Sequence, residues 1–207
     1  MNELEIFDCI QGSPEWKLCR AGIPTASEFS TVMASGKGGG PSVTRRKYML
    51  TLLGQRITGE VLDGFTNDHM ERGKVMEAEA RDLYSMVTDL EPKQVGFMRR
   101  FGAGASPDSL VGDDGLLEIK TKLPHLQLEC LLADKLPAEH VAQCQGQLWI
   151  SGRRWLDFAS YWPGLPLFVK RVERDEAMIA RIKVEVDMFL IEMTQIETQI
   201  LNYKRAA

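Results

Sequence analysis

Pro107-Asp108 is followed, after nine intervening residues, by Glu118-Ile119-Lys120. The residues around these positions predict a hairpin. Ala105 to Val111 forms one strand, Gly112 to Gly115 an Asp- and Gly-rich turn, and Leu116 to Lys122 the second strand. Side chains alternate along a strand, so Glu118 and Lys120 share a face, while Leu117 and Ile119 take the other, where a core can bury them. Two carboxylates on one side of a sheet repel each other unless a cation sits between them. Oxygen-only ligands suit Mg²⁺ or Mn²⁺. A lysine beside them can stabilise charge developing on a phosphate or orient an attacking water. A surface ion pair on an exposed hairpin satisfies the same residues, so the spacing leaves both a metal-dependent nuclease site and a solvated hairpin open.

The elements around the hairpin decide what could join it. Met1 to Ile10 alternates weakly and suits a strand or an extended arm. Ser13 and Pro14 predict the cap and first position of a helix to Arg20. Thr25 and Glu28 have the spacing of a capping box opening another helix. Ser27 in that first turn, with free backbone N–H groups and Arg20 just before, makes an anion seat, or else a cap beside a surface arginine. Ser35 to Ser42 reads as a flexible loop, either a linker or a segment touching DNA. It is not a nucleotide-binding loop, because Lys37 precedes Gly and no hydrophobic strand leads in. Thr44 to Leu62 is helical, and Arg45, Arg46 and Lys47 at its start oppose the helix dipole. They serve phosphate contact or are merely solvated.

Asn67 to Val87 is a second long helix, interrupted at Gly73. Glu77 lies beside its apolar stripe, able to reach inward or to face solvent. Pro92 to Arg100 predicts a strand leading into the hairpin. Helices follow from His125 to Asp134 and from Pro137 to Ile150. On the latter, Gln143 and Gln147 share a face one turn apart and can hydrogen-bond a phosphate, a metal-bound water or bulk solvent. Trp155 to Tyr161 and Pro166 to Val172 are strands around a Pro163-Gly164 turn. Asp175 caps a long final helix with a seam of alternating three- and four-residue steps, which packs on its own domain or meets a partner. The expected fold class is α/β (α+β): a central mixed sheet flanked by helices, with a long C-terminal helix.

Composition narrows the classes. The 207 residues suit one domain, and 44% hydrophobic with 26% charged residues is ordinary for a globular chain. No apolar run reaches membrane-span length and the N-terminus lacks signal-peptide character, so a cytoplasmic protein with no membrane partner is expected. Cys9, Cys19, Cys130 and Cys144 are scattered, and the histidines show no zinc spacing. A net charge of −4 argues against a protein that coats nucleic acid, but not against an acidic metal site beside a basic groove.

Five stretches in order resemble the phage lambda-type exonucleases. These are the YqaJ-like viral recombinase, or alkaline exonuclease, group of the restriction-endonuclease-like PD-(D/E)xK superfamily. They are EWKLCRAGIPTASEF from Glu15, ERGKVMEAEAR from Glu71, ASPDSL from Ala105, LLEIKTK from Leu116 and HVAQCQGQLW from His140. The resemblance implies a restriction-endonuclease-like core and a single nuclease domain over residues 1–207. Asp108, Glu118, the Ile119 backbone carbonyl and Glu77 match the metal ligands of a site holding two Mg²⁺, or Mn²⁺. Lys120 matches the catalytic lysine. Arg20, Ser27, Ser106 and Gln143 match the residues that hold a 5′ phosphate. It further implies 5′-to-3′ degradation of one strand of linear duplex DNA to mononucleotides, leaving 3′ tails for recombination. A homotrimeric ring, a single-strand annealing partner and a phage or prophage origin in a bacterial cytoplasm belong to the same implication. Departures are the lack of an extra acid near Phe97 to Gly102 and of any motif after Trp149. A restriction-like endonuclease and a non-catalytic DNA-end-binding module are the competing readings. Met49 and neighbouring apolar residues are candidates for splitting the strands.

Overall fold

The computed structural model describes residues 3–36, 38–40, 42–61 and 68–203. The expectations placed on Lys37, on Leu62 and on Asn67 lie outside the described residues, as do the side chains of Glu71 and Lys74. Among the described residues, eight strands form two sheets. The first, ordered β1-β3-β4, consists of Glu5–Phe7, Phe97–Arg100 and Ala103–Ala105. The second is ordered β2-β5-β6-β7-β8: Pro92–Gln94, Ser109–Val111, Gly115–Thr121, Trp155–Tyr161 and Phe168–Glu173. Within it β6 and β7 are parallel and the other neighbours antiparallel, which makes the sheet mixed.

Between β2 and β5 the chain therefore changes sheet twice, at Val95-Gly96 and at Ser106-Pro107-Asp108. This corrects two expectations. Pro92 to Arg100 is two strands rather than one, and Ala105 to Val111 is broken at Ser106 instead of running as a single strand. Pro107 has no N–H to give a ladder, and Asp108 leaves the strand line directly after it. The two crossovers are stapled together from the N-terminus. Gln11 Nε2 donates to Val95 O and to Pro107 O, each at 2.9 Å. Gly96 has no side chain because one would overlap the backbone of Phe7 and Cys9 crossing over it.

Helices cover both faces. α1 (Pro14–Arg20) is capped by Ser13, whose side chain accepts from Trp16 N. The capping box at Thr25 does not form: Thr25 makes no side-chain cap, and the segment is a 3₁₀ turn, Ala26–Glu28, followed by a short α2, Phe29–Val32. α3 spans Val43–Thr58, capped by Ser42 and closed by Gly59 at φ 73°. α4 runs unbroken over Asp68–Thr88. The expected interruption at Gly73 is absent; a Cβ there would come 3.8 Å from Thr121 Oγ1, so this glycine marks the approach of α4 to β6. α5 is Pro124–Ala133 and α6 Ala138–Ser151. Asp175 Oδ1 accepts from Met178 N to open α7, Glu176–Tyr203.

Alternation on β6 sets the cores. Leu117 and Ile119 pack against Met76, Ala80 and Tyr84 of α4, while Leu116, on the opposite face, packs with Phe158, Leu148 and Cys130 beneath α5 and α6. Ile179, Ile182, Val186, Phe189 and Met193 of α7 are buried with Phe29, Met49, Leu53 and Ile150. The first half of the α7 seam thus packs on its own chain. Met49 is fully buried there, which removes it as a strand-splitting side chain; Val43 and Leu50 are the exposed apolar residues of α3.

Candidate active site

β6 carries the centre of the site. Glu118 and Lys120 point to the α6 side, as alternation requires, and their side chains meet at 2.6 Å (Nζ to Oε1). Glu118 is buried and held by two further donors from α6: Gln143 Nε2 to Oε1 and Gln147 Nε2 to Oε2, both at 2.6 Å. Asp108 reaches β6 from the second crossover. Its Oδ2 accepts from Ile119 N at 2.6 Å. Glu77 faces Asp108 from α4 and is paired at 2.5 Å with Arg81, which also donates to Ser109 Oγ.

Electrostatics distinguish the groups. Burial, then the charges of Glu118 and Glu77, push the Asp108 carboxyl well above the usual carboxylate range, against the Ile119 N–H and Lys120. Burial alone would lower the Lys120 ammonium, but Glu118 and Asp108 outweigh it and the net shift is upward, so Lys120 is charged. Burial, with Lys122 and Lys120 nearby, lowers His140 to about 4. Its ring stacks on Phe158 with centroids 5.0 Å apart. Burial, then Glu118, raises the Cys144 thiol, so this cysteine is no nucleophile.

Among the described residues, no three His, Cys, Asp or Glu side chains form a ready-made metal cluster. Each carboxylate is instead drawn to a protein donor. The donor set still suits a hard divalent cation: desolvated Asp108, buried Glu118 and partly exposed Glu77 face one another, and Asp108 is destabilised as an anion by the other two.

The residues expected at a 5′ phosphate divide. Arg20 Nη2 lies 3.4 Å from Thr25 Oγ1, which is 3.2 Å from Ser27 Oγ. The Arg20 guanidinium sits 3.9 Å above the Trp16 ring, and Trp16 Nε1 donates to Ser106 Oγ at 3.0 Å. Arg20, Ser27 and Ser106 are thus linked through Thr25 and Trp16. Gln143 stands apart from this group, on Glu118. The basic cluster divides as well. Arg46 and Lys47 are exposed, but Arg45 is buried, with Nε on Val32 O at 3.1 Å and Nη1 on Glu192 at 2.6 Å. Arg45 is therefore a brace between α2, α3 and α7, which corrects its assignment to DNA. Two residues went unassigned by sequence reasoning. Trp16 carried no signal. Gln147 had one, its one-turn spacing from Gln143, but that spacing gave no depth.

This constellation is matched from outside. The YqaJ-like viral recombinase domain profile aligns with residues 15–154, which hold every residue of the site. The chain belongs to that family. Its fold overlays an alkaline exonuclease, LHK-Exo, from Laribacter hongkongensis, at 37% identity and TM-score 0.82, covering 94% of this chain and 98% of the other. The structure of LHK-Exo in complex with dAMP overlays at TM-score 0.83 with the same identity and coverage. A phage-related exonuclease from Haemophilus somnus, 14% identical, shares the fold at TM-score 0.65, over 86% of this chain and 96% of the other. Comparison with curated proteins finds no match. Among the described residues, no helix is long and apolar enough to cross a membrane.

Proposed function

We propose that this chain is a divalent-metal-dependent exonuclease that degrades one strand of linear double-stranded DNA from a 5′ end, releases mononucleotides and leaves 3′ single-stranded tails. The observation that carries the reading is the meeting of desolvated Asp108 with Glu118 and Glu77 beside a charged Lys120, in a chain 37% identical to an alkaline exonuclease. That relative's capture with dAMP supports a nucleoside 5′-monophosphate as product.

Asp108, Glu118, the Ile119 carbonyl and Glu77 would hold Mg²⁺ or Mn²⁺, two ions in the fullest reading. Bound there, the metal supplies Lewis-acid polarisation of the phosphate and a lowered pKa for an attacking water. Lys120, charged by its surroundings, presents its ammonium to the phosphoryl oxygens where negative charge grows. Arg20, Ser27 and Ser106 grip the terminal phosphate by charge-assisted and hydroxyl hydrogen bonds and fix the strand's register. Trp16 keeps Arg20 and Ser106 in place. Arg46 and Lys47 add phosphate contacts that weaken with salt. On this reading residues 1–207 act as one nuclease domain. The chain assembles as a homotrimeric ring, works with a single-strand annealing protein in recombination, and serves a phage or prophage in a bacterial cytoplasm.

The test is digestion of end-labelled linear duplex with Mg²⁺, comparing 5′-phosphate with 5′-hydroxyl ends and with closed circles. Mononucleotide release from the 5′ end, fastest with the phosphate and absent on circles, is expected. Equal attack on closed circles would make it an endonuclease, and binding without cleavage an end-binding module. Sedimentation giving a monomer at micromolar protein would remove the ring.

A further inference from the structure

Three glutamines alternate along α6, and their environments differ sharply. Gln145 is buried and satisfied at both ends: Nε2 donates to Glu173 O at 2.8 Å and Oε1 accepts from Asp175 N at 2.9 Å. It joins α6 to the start of α7. Gln143 keeps some exposure and donates to Glu118 Oε1. Gln147 is 1% exposed, donates to Glu118 Oε2, and has no partner for its own Oε1 among the described residues. A buried amide satisfied at one end only is unfavourable where an apolar side chain of similar size would fit. Turning the amide round would set its carbonyl against the carboxylate. The retained orientation keeps the N–H on Glu118, and the orphaned oxygen is what that costs.

The two oxygens of Glu118 therefore have unlike partners. Oε1 is met by Lys120 and Gln143, both of which keep accessible surface. Among the described residues, Oε2 is met by Gln147 alone, in the protein interior. We propose that Gln147 is a positioning residue: it pins Oε2 and fixes the Glu118 side chain, so that Oε1 is the oxygen free to exchange Lys120 and Gln143 for a divalent cation. That exchange releases an ammonium and an amide toward the phosphate as the cation arrives. The proposal rests on the nuclease reading above. It adds a residue that touches neither phosphate nor metal and acts through Glu118.

The test uses the full chain and Mn²⁺ alone, followed by electron paramagnetic resonance of the free ion. Gln147→Leu and Gln147→Met, which remove the donor at similar volume, are compared with Gln145→Leu. Both Gln147 variants should bind Mn²⁺ about tenfold more weakly while melting within a few degrees of the parent. In duplex digestion, their half-saturating Mn²⁺ should rise by a similar factor, with the rate at saturating metal largely recovered. Gln145→Leu should melt lower with Mn²⁺ affinity unchanged. Gln147 variants that lose stability but keep the parent's Mn²⁺ affinity would show a structural role and overturn the proposal. A parent protein that binds no Mn²⁺ would overturn it together with the nuclease reading, whereas a parent that binds Mn²⁺ and digests DNA, with variants indistinguishable from it, would overturn the proposal alone.

Discussion

Asp157 and Asp108 are desolvated acids held by neighbouring parts of one sheet, and the chain treats them in opposite ways. Asp157, on β7, is 2% exposed and fully answered: Arg171 donates to both oxygens at 2.9 and 2.8 Å, and Tyr84 donates its hydroxyl at 2.7 Å. Asp108 receives one backbone N–H and looks across at two more acids. The first carboxylate is neutralised by the protein, so its contribution is to the fold. The second is under-neutralised, a state a folded chain tolerates where the missing positive charge arrives from outside. Burial alone does not separate a structural acid from a functional one; the count and sign of the partners does.

The largest test of this contrast is on catalysis. Lys120→Ala should lower DNA cleavage by roughly 10²–10³-fold and leave the melting temperature nearly unchanged, as read by gel assay and calorimetry. Undiminished cleavage would remove Lys120 from the mechanism.

The sharpest test swaps the two acids. Asp157→Ala should destabilise the protein by about 3 kcal/mol, because Arg171 and Tyr84 lose their common partner, with Mn²⁺ binding per folded molecule retained. Asp108→Asn should do the reverse: equal or greater stability in metal-free buffer, since a repelled anion is removed, and no Mn²⁺ binding. Chemical denaturation with and without the ion reads both. Matching responses from the two variants would break the distinction.

A smaller effect concerns pH. His140 is lowered from 6.5 to about 4, so the unfolded chain binds the extra proton between those values. Its contribution to stability is complete above 6.5 and is lost as pH falls toward 4. His140→Phe should flatten that part of the stability curve, measured by denaturation in a pH series.

The smallest tests concern DNA contact. Arg46→Ala and Lys47→Ala should each weaken duplex binding and reduce the salt slope by about one, seen by fluorescence anisotropy against salt. Arg45→Ala should lower stability instead, through its lost partners Val32 O and Glu192.

Local rules made much of the site readable. Period-two alternation placed Glu118 and Lys120 opposite Leu117 and Ile119, and Ser13-Pro14, the Asp- and Gly-rich turn and Asp175 marked real starts and stops. What escaped were features set by tertiary neighbours. The break at Ser106 follows from a change of sheet that no local pattern states. The continuity of α4 through Gly73 is permitted by the nearness of β6. Thr25 met Arg20 and Ser27 rather than the free N–H groups of a helix. Arg45 and Gln147 each look like surface residues in a charged or polar run, and only the packing of α6 and α7 decides otherwise.

Gln11 lies outside the carboxylate and lysine cluster, yet one amide nitrogen spans both short crossovers between β2 and β5. A protease nick or an engineered trim just beyond it would spare Asp108, Glu118, Lys120 and Glu77. It would nonetheless let Asp108 drift from Glu118, leaving an enzyme that is whole by sequence and misaligned by geometry.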